Sequence, residues 1–254
     1  MEKKNVTIRK PAFAGSFYPS TKREILAYFQ RFEKQLNEEG TGETEDAPVS
    51  GLIVPHAGWV YSGKTAYAAH RMLKKTAPKK IALLGPSHHA LFHSVYCDPH
   101  DLWESPMGQT TVIHNSQFPV HPSVHNEEHS LEVQLPFIQY FSPDSRLLPL
   151  IAGHLSEIKA REFAEMLDSY FLIISTDLSH YHPLDEARKI DSLSITNIEN
   201  MNDDHVDACG INPLRIAFAF MRQRGLKPRL IDYSTSAEAF GDASAVVGYA
   251  GFWF

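Results

Sequence analysis

Gly51-Leu52-Ile53-Val54-Pro55-His56, Ile81-Ala82-Leu83-Leu84-Gly85-Pro86-Ser87-His88-His89 and Phe171-Leu172-Ile173-Ile174-Ser175-Thr176-Asp177-Leu178-Ser179-His180 share one pattern: a short apolar run, then a loop bearing histidine. Each run is rich in Leu or β-branched residues, as a strand buried on both faces should be. Ligands of open α/β sheets bind outside the carboxyl ends of the strands. Histidines delivered there from separate strands are expected to converge, which points to a metal or acid/base site.

Outward from these runs, the chain alternates. Gly58 and Gly63 follow the first run, a helix is expected near 64–75, and the second run completes a strand–helix–strand unit. Such a unit predicts parallel pairing of neighbouring strands through a right-handed crossover. Strands are predicted at 147–152, 170–175, 229–233 and 244–253, with helices at 156–169, 184–200 and from Pro213 onward. Residues 94–96 and 110–114 read as short strands. Residues 127–141 read as a helix through Leu131, Leu135 and Ile138, bent by Pro136. Upstream, residues 9–19 read as a strap over the core. Thr21 and Glu24 have capping-box spacing ahead of Ile25, Leu26, Phe29 and Phe32. Residues 37–50 are acidic and poor in core residues, an exposed loop. The alternation predicts one α/β layered domain.

Composition narrows the function classes. Of 254 residues, 43% are hydrophobic and 21% charged, with a net charge of -6; a general nucleic-acid binder would show a basic face instead. No apolar run is long enough to cross a membrane, and the amino terminus lacks the apolar stretch of a secretory signal. Cys97 and Cys209 make no disulfide framework. A reducing cytoplasm is therefore the expected compartment.

Two strand-borne imidazoles, His56 and His88, supply part of a metal shell, since neutral imidazole is the commonest metal ligand. Asp177 would complete a two-His, one-carboxylate face. Cys209 is its rival: it precedes a helix expected to be capped by Asn212 with Pro213 in its first turn, a setting that favours the thiolate. Cys97 has no such setting and reads as structural. His180 suits proton transfer, with Asp177 orienting a ring or ligand. His129 and Glu132 stand at i and i+3, either a surface ion pair or a support for a ligand histidine. Trp59 and Tyr61 hint at a flat or apolar ligand. No Gly-x-Ser-x-Gly elbow, dinucleotide fingerprint or Walker loop occurs.

Six segments in order carry a resemblance across the whole chain. They are Ala14-Gly15-Ser16-Phe17-Tyr18-Pro19, Val54-Pro55-His56-Ala57-Gly58, Leu84-Gly85-Pro86-Ser87-His88-His89, Glu128-His129-Ser130-Leu131-Glu132-Val133-Gln134-Leu135-Pro136, Ser175-Thr176-Asp177-Leu178-Ser179-His180 and Cys209-Gly210-Ile211-Asn212-Pro213. Together they resemble the Memo family, whose prokaryotic members are called AmmeMemoRadiSam system protein B. The resemblance implies one three-layer α/β/α domain over 1–254 with a central mixed β-sheet, similar to class III extradiol dioxygenases. It implies one metal ion, iron or copper ahead of zinc, held by His56, His88 and Cys209. His180 would be the acid/base, with Asp177 and His129 supporting it. It also implies a redox-linked role on a small-molecule or peptide ligand, alongside a radical-SAM protein. A partner-binding adaptor and a zinc hydrolase are the alternative readings.

Overall fold

In the computed structural model, residues 5–40 and 48–254 are described. Part of the expected acidic loop, 41–47, lies outside them. The elements run β1 (Ile8–Arg9), α1 (Lys22–Glu38), β2 (Gly51–Val54), α2 (Trp59–His70), α3 (Leu73–Thr76), β3 (Lys80–Pro86), β4 (Val95–Cys97), β5 (Leu102–Ser105) and β6 (Gly108–Thr111). They continue with α4 (Pro122–Asn126), a 3-10 turn at Glu132–Gln134, α5 (Leu135–Phe141), β7 (Arg146–Ala152), α6 (Glu157–Met166), β8 (Phe171–Ser175) and β9 (His180–His182). The last are α7 (Leu184–Glu199), α8 (Ile211–Arg224), β10 (Arg229–Thr235), α9 (Ala237–Phe240) and β11 (Val246–Trp253). No described helix is long and apolar enough to cross a membrane.

The main sheet is mixed, in the order β10-β11-β2-β8-β3-β7-β4, with β9 pairing on β11. Strands β2, β8, β3 and β7 are parallel; β4, β10 and β11 run against their neighbours. Alternate side chains enter two cores. Leu52, Val54, Leu83 and Ile173 pack toward α1, α2 and α5, while Ile53, Leu84, Leu172 and Ile174 pack toward α6, α7 and α8. That is the three-layer α/β/α arrangement the resemblance implied, built on strands buried on both faces.

Several local expectations are corrected. The first two runs are parallel but not neighbours, because β8 lies between them. Pairing order is a long-range choice that local apolarity does not encode. The helix expected near 64–75 begins at Trp59, since Gly58 caps it directly after the His56 loop. Helix α1 reaches into the expected acidic loop, through Asn37 and Glu38. Residues 127–131 are not helical: Pro136 occupies the first turn of α5, and only a 3-10 turn precedes it. The strand Leu102–Ser105 gave no clear signal in the sequence. Helix α8 is capped at Gly210 rather than Asn212, whose side chain instead accepts from Leu155 N. The capping box at α1 holds: Thr21 Oγ1 accepts from Glu24 N and donates to Glu24 Oε2.

The strap over 9–19 is fastened by one buried carboxylate. Glu132, 0% exposed, accepts from Arg9 Nη1 at 2.7 Å, Tyr18 Oη at 2.9 Å, and the backbone N–H groups of Ala12 and Phe13. Glu132 is therefore neither a surface group nor the partner of His129. Removing one member of a buried pair strands the other charge. Glu132→Ala is expected to cost about 3–5 kcal/mol, measured as a lowered urea midpoint. A second buried titratable group is separate from the strap. His70 on α2 stacks on Phe137, and its Nδ1 is bonded to Ala66 O. Burial pulls its pKa from 6.5 to about 4. The unfolded chain thus binds this proton first as pH falls. Stability is full above about pH 6.5 and declines toward pH 4, by up to roughly 3 kcal/mol from this group. His70→Phe is expected to flatten that part of the stability–pH curve.

Candidate metal centre

His56, His88 and Asp177 each stand two residues beyond the carboxyl end of a strand, β2, β3 and β8. Because β8 lies between the other two, the three loops open onto one cavity of about 950 Å³. His129 enters it from the irregular segment ahead of α5. The imidazoles of His56, His88 and His129 form a compact cluster. Each offers one nitrogen, and these nitrogens all lie within 4.8 Å of one another. The His88 and His129 rings stack at 4.9 Å, and His56 stands nearly perpendicular to both.

Hydrogen bonding fixes which nitrogen of two rings faces the cavity. Ser175 Oγ has one proton, and it goes to Ser130 O at 2.7 Å, because a carbonyl only accepts. Gln134 Nε2 donates to Ser175 Oγ. His56 Nδ1, 3.0 Å away, must therefore donate as well. That leaves the Nε2 lone pair of His56 pointing at the cluster. His88 Nδ1 donates to Glu128 Oε1 at 2.9 Å, and a carboxylate only accepts, so in the neutral ring His88 Nε2 is also the open nitrogen. Glu128 further accepts from the backbone N–H groups of His88 and Ser130.

Burial sets the proton affinities. It pulls His56 down to about 3, with the neighbouring His88 adding to the effect, and His129 down to about 4, with His56 adding. Both rings are neutral near pH 7, the ligand form. At His88 burial opposes the cation, but the bond and charge of Glu128 outweigh it and the pKa is raised. Glu128 itself is pulled to about 2 against its burial, chiefly by the His88 hydrogen bond. Burial pushes Asp177 up.

Cys209 reaches the same spot. Its Sγ lies 3.3 Å from His56 Nε2. The sulfur accepts from Asp177 N, while Cys209 N donates to Asp177 O and Gly210 N to Thr176 Oγ1. A Cβ at Gly210 would sit 2.5 Å from Thr176 Cβ, so only glycine permits this approach. The helix start was expected to favour the thiolate. Instead burial, with the nearby Asp177 charge, pushes the thiol up to about 12 in the absence of an ion. Cys97 is buried among apolar residues, in line with a structural role. Asp177 Oδ1 accepts from His56 N at 2.7 Å, and its Oδ2 is 3.9 Å from His56 Nε2. His180 lines the same cavity, half-buried, and no hydrogen bond to its ring is seen among the described residues. His154 is exposed, away from the cavity lining. Trp59 is core, donating to Val133 O, whereas Tyr61 is at the cavity mouth.

The structure thus brings His56, His88, Cys209, Asp177, His180 and His129 around one cavity. Sequence reasoning passed over Ser175, Gln134 and Glu128, which orient the rings. Gln134, a polar residue within the apolar run 133–136, gave the only such signal; Ser175 and Glu128 lie in polar runs.

Residues 9–253 match the family described as Memo-like protein. The chain is 33% identical to a MEMO1 family protein of Thermoplasma volcanium, over 96% of this chain and 97% of that one. It is 32% identical to MEMO1 family proteins of Aquifex aeolicus and Archaeoglobus fulgidus, in each case over 97% of this chain and 99% of the relative.

Partners that orient a ligand histidine typically contribute 10–100-fold in metal affinity. Glu128→Gln is therefore expected to weaken metal uptake by about 10–100-fold, read by competition with a chromophoric chelator, with the circular dichroism spectrum unchanged.

Proposed function

The chain belongs to the Memo family, and from that premise we propose that it is a metal-dependent redox protein working at the imidazole cluster. The observation that carries this is the tautomer of His56 and His88: both Nδ1–H groups are tied up, so both Nε2 atoms face the cluster, that of His56 3.3 Å from Cys209 Sγ. The donor set fits a metal ion. His56 and His88 would hold it, with Cys209 or His129 as the third donor. The mixture of imidazole and thiolate suits copper, iron or zinc, and a redox role favours the first two. A bound ion of that kind supplies Lewis-acid and electron-transfer chemistry.

The protein's own residues would do the rest. Cys209 gives up its proton on becoming a ligand, since only the thiolate binds well. Asp177, tied by His56 N and buried beside the cluster, balances added positive charge. His180 holds or moves a proton at its ring nitrogen for a ligand standing over the cluster. Phe17 covers His129 at a ring distance of 4.5 Å and keeps water from that side.

Protein purified without oxygen is expected to carry one ion per chain, and His56→Ala/His88→Ala to carry none while keeping its fold. Stoichiometric metal in that double variant would sink the assignment. Cys209→Ser and His129→Ala, compared side by side, identify the third donor by which loses more metal. A copper or ferric electron paramagnetic resonance signal that ascorbate removes and oxygen restores is expected; uptake of zinc alone would overturn the redox reading.

A further inference from the structure

With the imidazole cluster as the working centre, a premise shared with the proposed function, the mouth of the cavity decides what can reach it. Among the described residues the exposed aromatic side chains are Tyr61, Tyr140, Tyr181 and Phe240. All but Tyr140 line this one cavity. Tyr181 is 76% and Phe240 66% exposed, an amount of aromatic surface that marks a binding site when it gathers in one place. Tyr61 and Phe240 meet at 5.3 Å with 67° between their planes, forming two walls of a corner.

Charge gives the second observation. The lining includes the carboxylates Asp177 and Asp242 but no Lys or Arg. Asp242 stands two residues beyond Phe240. Its Oδ1 accepts from Ser244 N and Ser244 Oγ, and those bonds hold its carboxyl below the usual range, so it is ionised. Its Oδ2 makes no hydrogen bond among the described residues. Aromatic faces attract cations through their quadrupole, and a carboxylate beside them adds to that attraction. A carboxylate or phosphate entering here finds no Lys or Arg.

We propose that the cavity takes an organic amine. Its ammonium group sits in the corner of Tyr61 and Phe240 beside Asp242, and the rest of the molecule extends inward toward His56, His88 and His180. Anionic analogues of the same shape are rejected.

A matched series tests this: 2-phenylethylamine as the cation, 2-phenylethanol as the neutral form and 3-phenylpropionate as the anion. Each is titrated by calorimetry into metal-loaded and chelator-treated protein. The amine is expected to bind tightest, by about two- to fivefold over the alcohol, the size of one exposed cation–π contact. Asp242→Asn is expected to narrow the amine's lead over the alcohol, and Phe240→Ala to weaken the amine by about two- to fivefold. Both positions are on the surface, so folding is not at stake. Binding of the acid as tight as the amine, an unchanged amine-to-alcohol ratio in Asp242→Asn, or no binding by any of the three would overturn the proposal. The two readings fail separately. Loss of the metal assignment shows in the metal content of His56→Ala/His88→Ala, whereas the amine preference is read on metal-stripped wild-type protein.

Discussion

The orientation of His56 hangs on a single hydroxyl proton. Ser175 gives that proton to Ser130 O, and every other neighbour must then donate to the serine oxygen. Glu128 imposes the same rule on His88 by being unable to donate while ionised. Buried polar networks are valuable when every member is satisfied and costly when one is not. Here the outer nitrogens of both rings are bonded, while the inner nitrogen of His56 meets the Cys209 sulfur at 3.3 Å. Crowding neutral nitrogens together in a buried place disfavours protons, which is why His56 is driven to about 3. The same arrangement suits a cation that can accept several lone pairs at once.

The segment from Glu128 to Gln134 joins the centre to the rest of the molecule. Glu128 orients His88, His129 joins the cluster, Ser130 takes the proton of Ser175, and Gln134 Nε2 donates to both Ser175 Oγ and Pro55 O. Glu132, in the middle, turns the other way to fasten the strap through Arg9 and Tyr18. Two carboxylates four positions apart therefore serve different parts of the fold. A regular helix from 127 would have stacked them on one face; the irregular backbone ahead of Pro136 separates their tasks.

Buried strands were legible because continuous apolarity leaves little else for such runs to be. Their carboxyl ends open onto one cavity, and His56, His88, Asp177, His180 and Cys209 all line it. Strand order was not legible: β8 inserts between β2 and β3 through contacts far apart in sequence. His129 was read for helical phase, as a surface ion pair or a support for a ligand histidine, when its backbone is not helical at all. The thiol of Cys209 illustrates a conflict of scales. A helix amino end nearby favours the thiolate, but desolvation by distant segments is larger. Tyr181, Phe240 and Asp242 were invisible as a group, since only pairing of β9 on β11 brings their loops to the same rim.

Strand β11 is built from the end of the sequence, yet it pairs beside β2, which carries His56. Val247 and Tyr249 on that strand form part of the cavity wall. During synthesis the ribosome delivers His56, His88 and His129 well before them. The nascent chain thus displays its nitrogen donors in the open while the enclosure is still missing. With a metal bound there as proposed, selectivity exercised by the finished cavity would not operate at that stage, so faithful loading would depend either on late insertion of the ion or on a cellular supply that keeps competing ions scarce.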